Sequence, residues 1–260
     1  MRNKKHRFSS SRHPRRRSEA PKGSAPVLLY GIHAVEAALA NPKREIRKLH
    51  LTENAARRLE PLLLQRRLKV EPALPKTLDR LLGGDAVHQG AVIEVEDLPT
   101  LGLDDIITDG LLVVLDQVTD PQNVGAVLRS AAAFGATGLM LHDRHSPPLT
   151  GALAKAASGA LDTVPVILVP NLARALTELG ERGFARVGLA EEGSEALETA
   201  TLTLPMALVL GAEGKGLRQL TRECCDQLCR ITTRGKLASL NVSNAAAIAL
   251  HWASTTARPR

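Results

Sequence analysis

Aromatic residues make up only 2% of this 260-residue chain: one Trp, one Tyr and three Phe. A protein that reads unstructured single strands by stacking bases on its own rings needs more of them, so that mode of recognition is set aside. Cysteine is scarce as well. Cys224, Cys225 and Cys229 are an odd set in a chain without an export signal. That argues against a disulfide framework and for a reducing cytosol. They lack paired C-x2-C spacing, so no metal site is expected, and they are read as packing residues on a helix. Long apolar runs are missing too. Stretches 111–115 and 206–210 are strand-sized, far short of the roughly 20 residues that span a bilayer. No apolar block follows the basic start, so no signal peptide is expected.

The formal net charge is +7, and it is unevenly placed. Residues 1–25 hold nine Lys/Arg and one Glu, whereas 26–99 carry eleven Lys/Arg against ten Asp/Glu. The remainder has fourteen against sixteen. A basic arm on a nearly neutral body suggests a polyanionic partner, RNA or DNA, met through phosphates and shape. The plainer reading is a solubilising arm. Residues 1–25 have almost no apolar residue but Phe8 and are expected to stay disordered. An organelle transit peptide would need an apolar face that they lack.

Residues 26–98 read as a small α/β module. Strands are expected near 27–30, 46–51, 70 and 91–95, with helices after Gly31, over 55–67 and over 78–82. Arg57, Arg58, Arg66 and Arg67 are taken as a solvated helix face. His88-Gln-Gly90 is a polar turn that either meets a substrate or only turns the chain. Residues 99–109, with Pro99, Gly102 and several acids, read as a linker.

From 110 the pattern becomes regular. Strands at 111–115, 138–141, 164–169, 185–189, 206–210 and 228–231 alternate with helices at 123–134, 150–160, 172–181, 217–225 and 244–255. The fold class is therefore α/β, with a C-terminal parallel sheet covered on both faces over 110–260. Ligands of such sheets sit at the carboxyl ends of the strands, and three loops there stand out. Asp116 to Arg129 joins a strand to a helix and offers Asn123 and Arg129. Read plainly, it is a capped helix with one surface Arg. Leu210-Gly-Ala-Glu-Gly-Lys-Gly-Leu217 packs three glycines into six residues, which lets a ligand approach the backbone. It is not a P-loop, which would need Gly at 209 and Ser or Thr at 216 where Val209 and Gly216 stand. Its G-x-x-G-x-G spacing is not the dinucleotide fingerprint either. Glu213 at its centre would repel a polyphosphate and suit a cation. The third loop runs from Ile231 through Arg234-Gly-Lys236 to Ser239-Leu-Asn-Val-Ser-Asn244. Ser239, Asn241, Ser243 and Asn244 are more polar groups than one helix cap needs. Taken alone, the stretch also reads as a well-capped C-terminal helix.

Asn123-Val-Gly-Ala-Val-Leu-Arg129, Gly211-Ala-Glu-Gly214 with Gly216-Leu217, and Ser239-Leu-Asn-Val-Ser243 occur in the order found in the SpoU branch of the SPOUT superfamily. Residues 110–257 thus resemble the S-adenosylmethionine-dependent RNA 2′-O-ribose methyltransferases. The N-terminal module is similar to the RNA-binding domain of the subgroup that modifies a guanosine of large-subunit (23S-type) ribosomal RNA. Tyr30-Gly-Ile-His-Ala-Val35 and Val87-His-Gln-Gly-Ala-Val92 carry that second resemblance. The resemblance implies a C-terminal trefoil knot, although chains in general do not thread. It also implies a homodimer and a cytoplasmic enzyme. S-adenosylmethionine would lie bent among Gly211, Glu213, Gly214, Gly216, Ile231 and Leu240. Arg129 and Asn123 would face the ribose, with Glu213, Ser239 and Asn241 shaping the catalytic site. Lys155, Ser158 and Gly159 resemble a segment near the substrate, and Asn244 is given no role. The family assigns an Arg at position 129 as general base. A guanidinium stays protonated, so Arg129 is expected instead to hold the neighbouring phosphate and steady the emerging alkoxide. Three other readings remain: a transfer-RNA substrate, a non-catalytic ribosome-assembly factor, and a nicotinamide-dependent oxidoreductase, against which the glycine spacing counts.

Overall fold

The computed structural model describes residues 26–84, 86–99, 101–149, 151–235 and 239–259. The basic arm expected over 1–25, Thr150 at the expected helix start, and Lys236 lie outside the described residues.

The N-terminal module runs β1 (Val27–Tyr30), α1 (Ile32–Ala40), β2 (Ile46–Leu51), α2 (Glu53–Arg66), β3 (Glu71–Pro72), α3 (Pro75–Leu82) and β4 (Ala91–Val95). The sheet order is β1-β4-β2-β3, with β4 antiparallel to both neighbours. Val35, Ala38 and Leu39 of α1 and Leu59 of α2 pack on Leu49, Leu51, Ile93 and Val95. The Thr52 hydroxyl accepts the Ala55 amide at the start of α2. Arg67 closes that helix in the left-handed region at φ 51°, and Arg57 pairs with Glu53 one turn away.

The two N-terminal motifs meet. Gln89 Oε1 accepts the Ile32 amide at 3.1 Å and so caps α1, whose preceding Gly31 has no side chain to do it. His88 Nδ1 accepts the Gly90 amide at 2.9 Å, leaving Nε2 to donate to Asp79 at 3.1 Å. Gly90 has φ +81°, and a Cβ there would lie 2.3 Å from the Thr52 hydroxyl oxygen. Of the two readings of the His88 turn, the architectural one accounts for all three residues.

Residues 101–106 do not hang free. Leu101 bridges Ile167, a 3-10 turn occupies Leu103–Asp105, and Ile106 is buried in the second core. The larger domain follows: β5 (Leu111–Asp116), α4 (Pro121–Ala133), β6 (Gly138–His142), α5 (Ala152–Ala157), β7 (Val166–Val169), α6 (Leu172–Glu181), β8 (Ala185–Leu189), β9 (Glu195–Ala196), β10 (Thr203–Leu204), β11 (Met206–Gly211), α7 (Gln219–Glu223), β12 (Gln227–Arg230), α8 (Val242–Thr256) and β13 (Arg258–Pro259). Its main sheet has the order β7-β6-β5-β11-β8-β12-β9, and every pairing is parallel. Side chains alternate across it. Leu111, Val113 and Leu115 face a core shared with α4, α5 and α8, while Leu112 and Val114 face one shared with α6.

The strand expected from 164 begins at Val166, and the helices expected from 78 and 244 begin at Pro75 and Val242. Three further differences have a visible cause. The helix expected over 150–160 is only α5. Gly151 precedes it at φ 54°, Ser158 stops it at φ 49°, and a 3-10 turn covers Ala160–Asp162. The helix expected over 217–225 begins two residues late, because Arg218 is held extended (ψ 152°) by Asp116. The cysteines do not share a helix. Cys224 caps α7, Cys225 follows it, and Cys229 is buried on β12. Packing at Cys225 and Cys229 is nonetheless their setting, since burial pushes the Cys225 thiol up to about 12 and that of Cys229 to about 11.

The module and the large domain are joined by a buried ion pair. Arg44 donates to both oxygens of Asp162, Nε to Oδ1 at 2.8 Å and Nη2 to Oδ2 at 3.1 Å. Asn41 adds a third bond to Oδ1 at 3.0 Å, and Arg44 Nη1 donates to the Glu96 carbonyl at 2.9 Å. The two charged side chains are 2% and 1% exposed. Ala154 of α5 enters the N-terminal core. Gly159 sits so close beneath α1 that a Cβ would lie 2.7 Å from that of Ala37.

Removing one member of a buried pair strands the other. Asp162→Ala is expected to cost about 3–5 kcal/mol, read as a lower urea midpoint. Iodoacetamide at pH 8 should leave Cys225 and Cys229 of the folded protein unmodified, because both thiols stay protonated there. Mass spectrometry of the labelled chain checks this.

Candidate functional site

β5 and β11 are neighbours, with Gly211 in register opposite Asp116. From β5 the chain steps outward to β6 and β7 on one side, whereas β8 and β12 lie on the other. The crevice at such a reversal is where open α/β sheets place ligands.

Three distant turns meet there. Asn123 Nδ2 donates to Glu213 Oε1 at 3.0 Å, and Asn241 Nδ2 donates to the same oxygen at 2.7 Å. Asn241 Nδ2 also reaches Asn123 Oδ1 at 3.0 Å, and the Val242 amide lies 3.4 Å from Glu213 Oε1. Each turn is prepared locally. Asp120 caps α4 through the Gln122 amide and so sets Asn123 in the first turn. Asn241 caps α8, its Oδ1 accepting the Ser243 amide at 2.9 Å. The cap reading and the ligand reading of the 239–244 stretch therefore fall on one side chain, with the amide oxygen capping and the amide nitrogen tying Glu213. The Gly211 loop is folded back on itself, the Gly216 amide bonding the Ala212 carbonyl at 2.8 Å. A Cβ on Gly211 would lie 2.1 Å from the Gly216 carbonyl carbon, and Gly214 and Gly216 have φ +71° and +64°.

Beside this network lies a cavity of about 470 Å³, within the range of small-molecule sites. Gly211, Glu213, Gly214, Gly216, Ile231, Ser239 and Leu240 all line it. Leu189, Leu210 and Leu217 give it apolar wall, and Glu191 and Glu192 join Glu213 in giving it negative charge. The Glu192 carboxyl is held below the usual range by its own backbone amide and then by Arg222. A slot with leucine wall on one part and backbone and carboxylates on the rest, and no Lys or Arg besides Lys215, suits a nucleoside bearing positive charge, as S-adenosylmethionine does. It does not suit a polyphosphate.

The other expected residues lie outside the cavity. Arg129 is exposed on α4 and pairs with no carboxylate among the described residues. Lys155 is exposed on α5 with Nζ 5.9 Å from the centre of the Tyr30 ring. Gly125 lets α4 and α5 touch, since a Cβ there would lie 2.6 Å from that of Ala156. Asn244 is exposed on α8, and Arg234 is exposed as well.

Sequence reasoning missed Asp116 and Arg218. Asp116 is fully buried and accepts the Arg218 amide at 2.9 Å and Arg218 Nε at 2.7 Å. This ties the exit of the Gly211 loop to the end of β5. An acid closing an otherwise apolar strand was the available signal, but its partner lies 102 residues away. Glu191 and Glu192 were missed too, since nothing marks Ala190–Gly193 in sequence as near the glycine loop. Among the described residues no group of three or more His, Cys, Asp or Glu is placed to hold a metal. No helix among them is long and apolar enough to cross a membrane.

The profile of the SpoU rRNA Methylase family matches residues 110–251. The chain belongs to this family. A second profile, RNA 2′-O ribose methyltransferase substrate binding, matches residues 28–101 of this SpoU chain. A protein of Ralstonia nicotianae named 23S rRNA (guanosine-2′-O-)-methyltransferase RlmB is 43% identical over 236 residues, 87% of this chain and 94% of that one. The Haemophilus influenzae protein of the same name is 42% identical over 85% and 94%. Among solved structures, the SpoU methyltransferase AviRb of Streptomyces viridochromogenes in complex with AdoMet superposes with a TM-score of 0.73 at 28% identity, covering 88% and 89%. The A. aeolicus TrmH/SpoU tRNA modifying enzyme gives 0.52 at 28% identity, covering 59% of this chain and 78% of that one.

Gly211→Ala forces a methyl group into the loop's own backbone. S-adenosylmethionine affinity of this SpoU chain, measured by calorimetry, is expected to fall about tenfold or more, with the far-ultraviolet dichroism of the sheet retained.

Proposed function

We propose that this protein methylates the 2′-oxygen of a ribose, that of a guanosine, in large-subunit ribosomal RNA, with S-adenosylmethionine as methyl donor. The observation that carries the reading is the convergence of Asn123, Glu213 and Asn241 on the rim of the cavity. The rRNA relatives match through both the N-terminal module and the large domain, whereas the tRNA enzyme covers little more than half the chain. This favours ribosomal over transfer RNA.

The backbone of Gly211, Gly214 and Gly216 and the side chains of Ile231 and Leu240 would hold the cofactor's nucleoside, and the Glu213 carboxylate would supply negative charge to balance its cation. When bound, S-adenosylmethionine supplies an electrophilic methyl on a positive sulfur. The protein's own residues must therefore align the ribose and stabilise charge on its oxygen. Asn123, Ser239 and Asn241 orient the sugar at the rim. Arg129, unpaired on α4, grips the adjacent phosphate with its planar fork and lowers the energy of the developing alkoxide. A guanidinium does not take up the hydroxyl proton, so that proton passes to water at the exposed rim.

The same proposal includes a homodimer, a trefoil knot and a cytoplasmic setting. Ala132 and Ala133 on α4 and Ile248, 44% exposed on α8, are exposed apolar residues on two helices that pack together, and such helices suit a second copy. After β12 the chain returns past the Gly211 loop at Leu240, and β13 then pairs with β10, a path that fits a threaded C terminus. Unpaired cysteines suit a reducing compartment.

The test is transfer of labelled methyl groups to ribosomal RNA fragments, followed by mapping of alkali-resistant linkages. Ribosomal RNA should be labelled and transfer RNA should not. Arg129→Lys should lower kcat about tenfold or more while leaving cofactor affinity unchanged. Wild-type turnover in that variant would remove any guanidinium-specific task.

A further inference from the structure

Arg218 leaves the Gly211 loop and lines a second cavity, of about 270 Å³, together with His142, Asn171, Leu172, Ala173 and Thr221. The cavity lies at the carboxyl ends of β6 and β7, the edge of the sheet that also carries Asn123. Nothing in the methyl-transfer reading uses it.

Several donors in its lining lack acceptors. The Arg218 side chain spends Nε on Asp116, and its two outer nitrogens have no acceptor among the described residues. α6 begins here, and its ten residues point their amino end at the cavity. Asn171 Oδ1 takes the Arg174 amide and the Asn171 carbonyl takes that of Ala175. The Leu172 and Ala173 amides have no acceptor among the described residues, and free first-turn amides are a natural cradle for an anion. Thr221 is 1% exposed, yet its hydroxyl has no partner among the described residues either.

The nearby carboxylates are engaged: Asp143 Oδ1 lies 3.2 Å from His142 Nδ1. His142 is held below its ordinary value by burial first and then by His145, with Arg218 and Arg144 adding to the effect against Asp143. Asp116 is taken up by Arg218, and Glu223 accepts from Gln219. A planar fork, two backbone amides and a hydroxyl from residues lining one cavity are the kinds of donor that a phosphate's oxygens accept. Leu220, 66% exposed at the rim, offers apolar surface to the sugar attached to it.

We infer that this cavity grips a backbone phosphate of the RNA strand at a nucleotide other than the one methylated. The inference rests on the proposed RNA substrate. Phosphate contacts of this kind fix register without reading sequence.

Two variants spare the fold and the methyl-transfer residues. Asn171→Asp keeps an oxygen to cap Arg174 but brings a negative charge into the cavity, and Thr221→Val removes only the hydroxyl. Binding of a ribosomal RNA fragment to the full chain is measured across salt concentrations. Asn171→Asp should weaken binding about tenfold and flatten the salt dependence by about one phosphate's share. Thr221→Val should weaken it about threefold. S-adenosylmethionine affinity and kcat at saturating RNA should not change. In a second arm, inorganic phosphate is titrated while the His142 ring is followed by NMR. A saturable shift in the wild type that Asn171→Asp abolishes supports the site. RNA affinity and salt slope equal to wild type in both variants overturn the proposal, as does a His142 ring indifferent to phosphate. If the wild type methylates no ribosomal RNA yet its His142 ring still responds, the functional reading fails and the anion chemistry of the cavity stands.

Discussion

Glu213 Oε1 accepts hydrogen bonds from the side chains of Asn123 and Asn241 and lies within reach of the Val242 amide. Those partners sit 90, 28 and 29 residues away in sequence. A carboxylate can take several donors at once because it has two oxygens and no hydrogen of its own. The position of this one oxygen depends in turn on the compact Gly211 loop, where residue 211 has no room for a side chain. The start of α4, the glycine loop and the start of α8 are thus held by each other.

A second tie runs beneath the first. Asp116 ends β5 without solvent and binds the backbone and side chain of Arg218, so the glycine loop is held at its exit as well as at its centre. The glycine-loop cavity lies on one side of this tie and the His142 cavity on the other. An ion pair with a buried carboxylate is costly to form and costlier to break on one side. Its use here is to fix where a loop leaves the sheet.

Much of this architecture is legible in the amino-acid sequence, for specific reasons. α6 and β8 fall on the residues expected from sequence, because helical spacing ends at a Gly-Phe turn and the next apolar run is a buried parallel strand. α5 is shorter than its sequence suggests, since Ala-rich spacing continues past Ser158 while the helical backbone does not. β9, β10 and β13 are two residues each, too short for any periodicity to show. The order of Asn123, Glu213 and Asn241 along the chain can be read, and so can the polar surplus in the last loop. Their hydrogen-bonding pattern cannot, nor can Asp116 with Arg218, because both are set by the order of strands in the sheet rather than by neighbours in sequence.

The joint between Arg44 and Asp162 has a consequence for whatever the small module holds. A two-pronged ion pair shielded from water, with Asn41 on the same carboxylate and Gly159 wedged beneath α1, leaves little play between the two sheets. The span from the N-terminal surface to the rim at Asn123 then behaves as a caliper of fixed opening. On the proposed function, a nucleotide would be singled out by how far it lies from the feature gripped at the other jaw, and a molecule whose landmark sits at a different distance would present the wrong sugar to the rim.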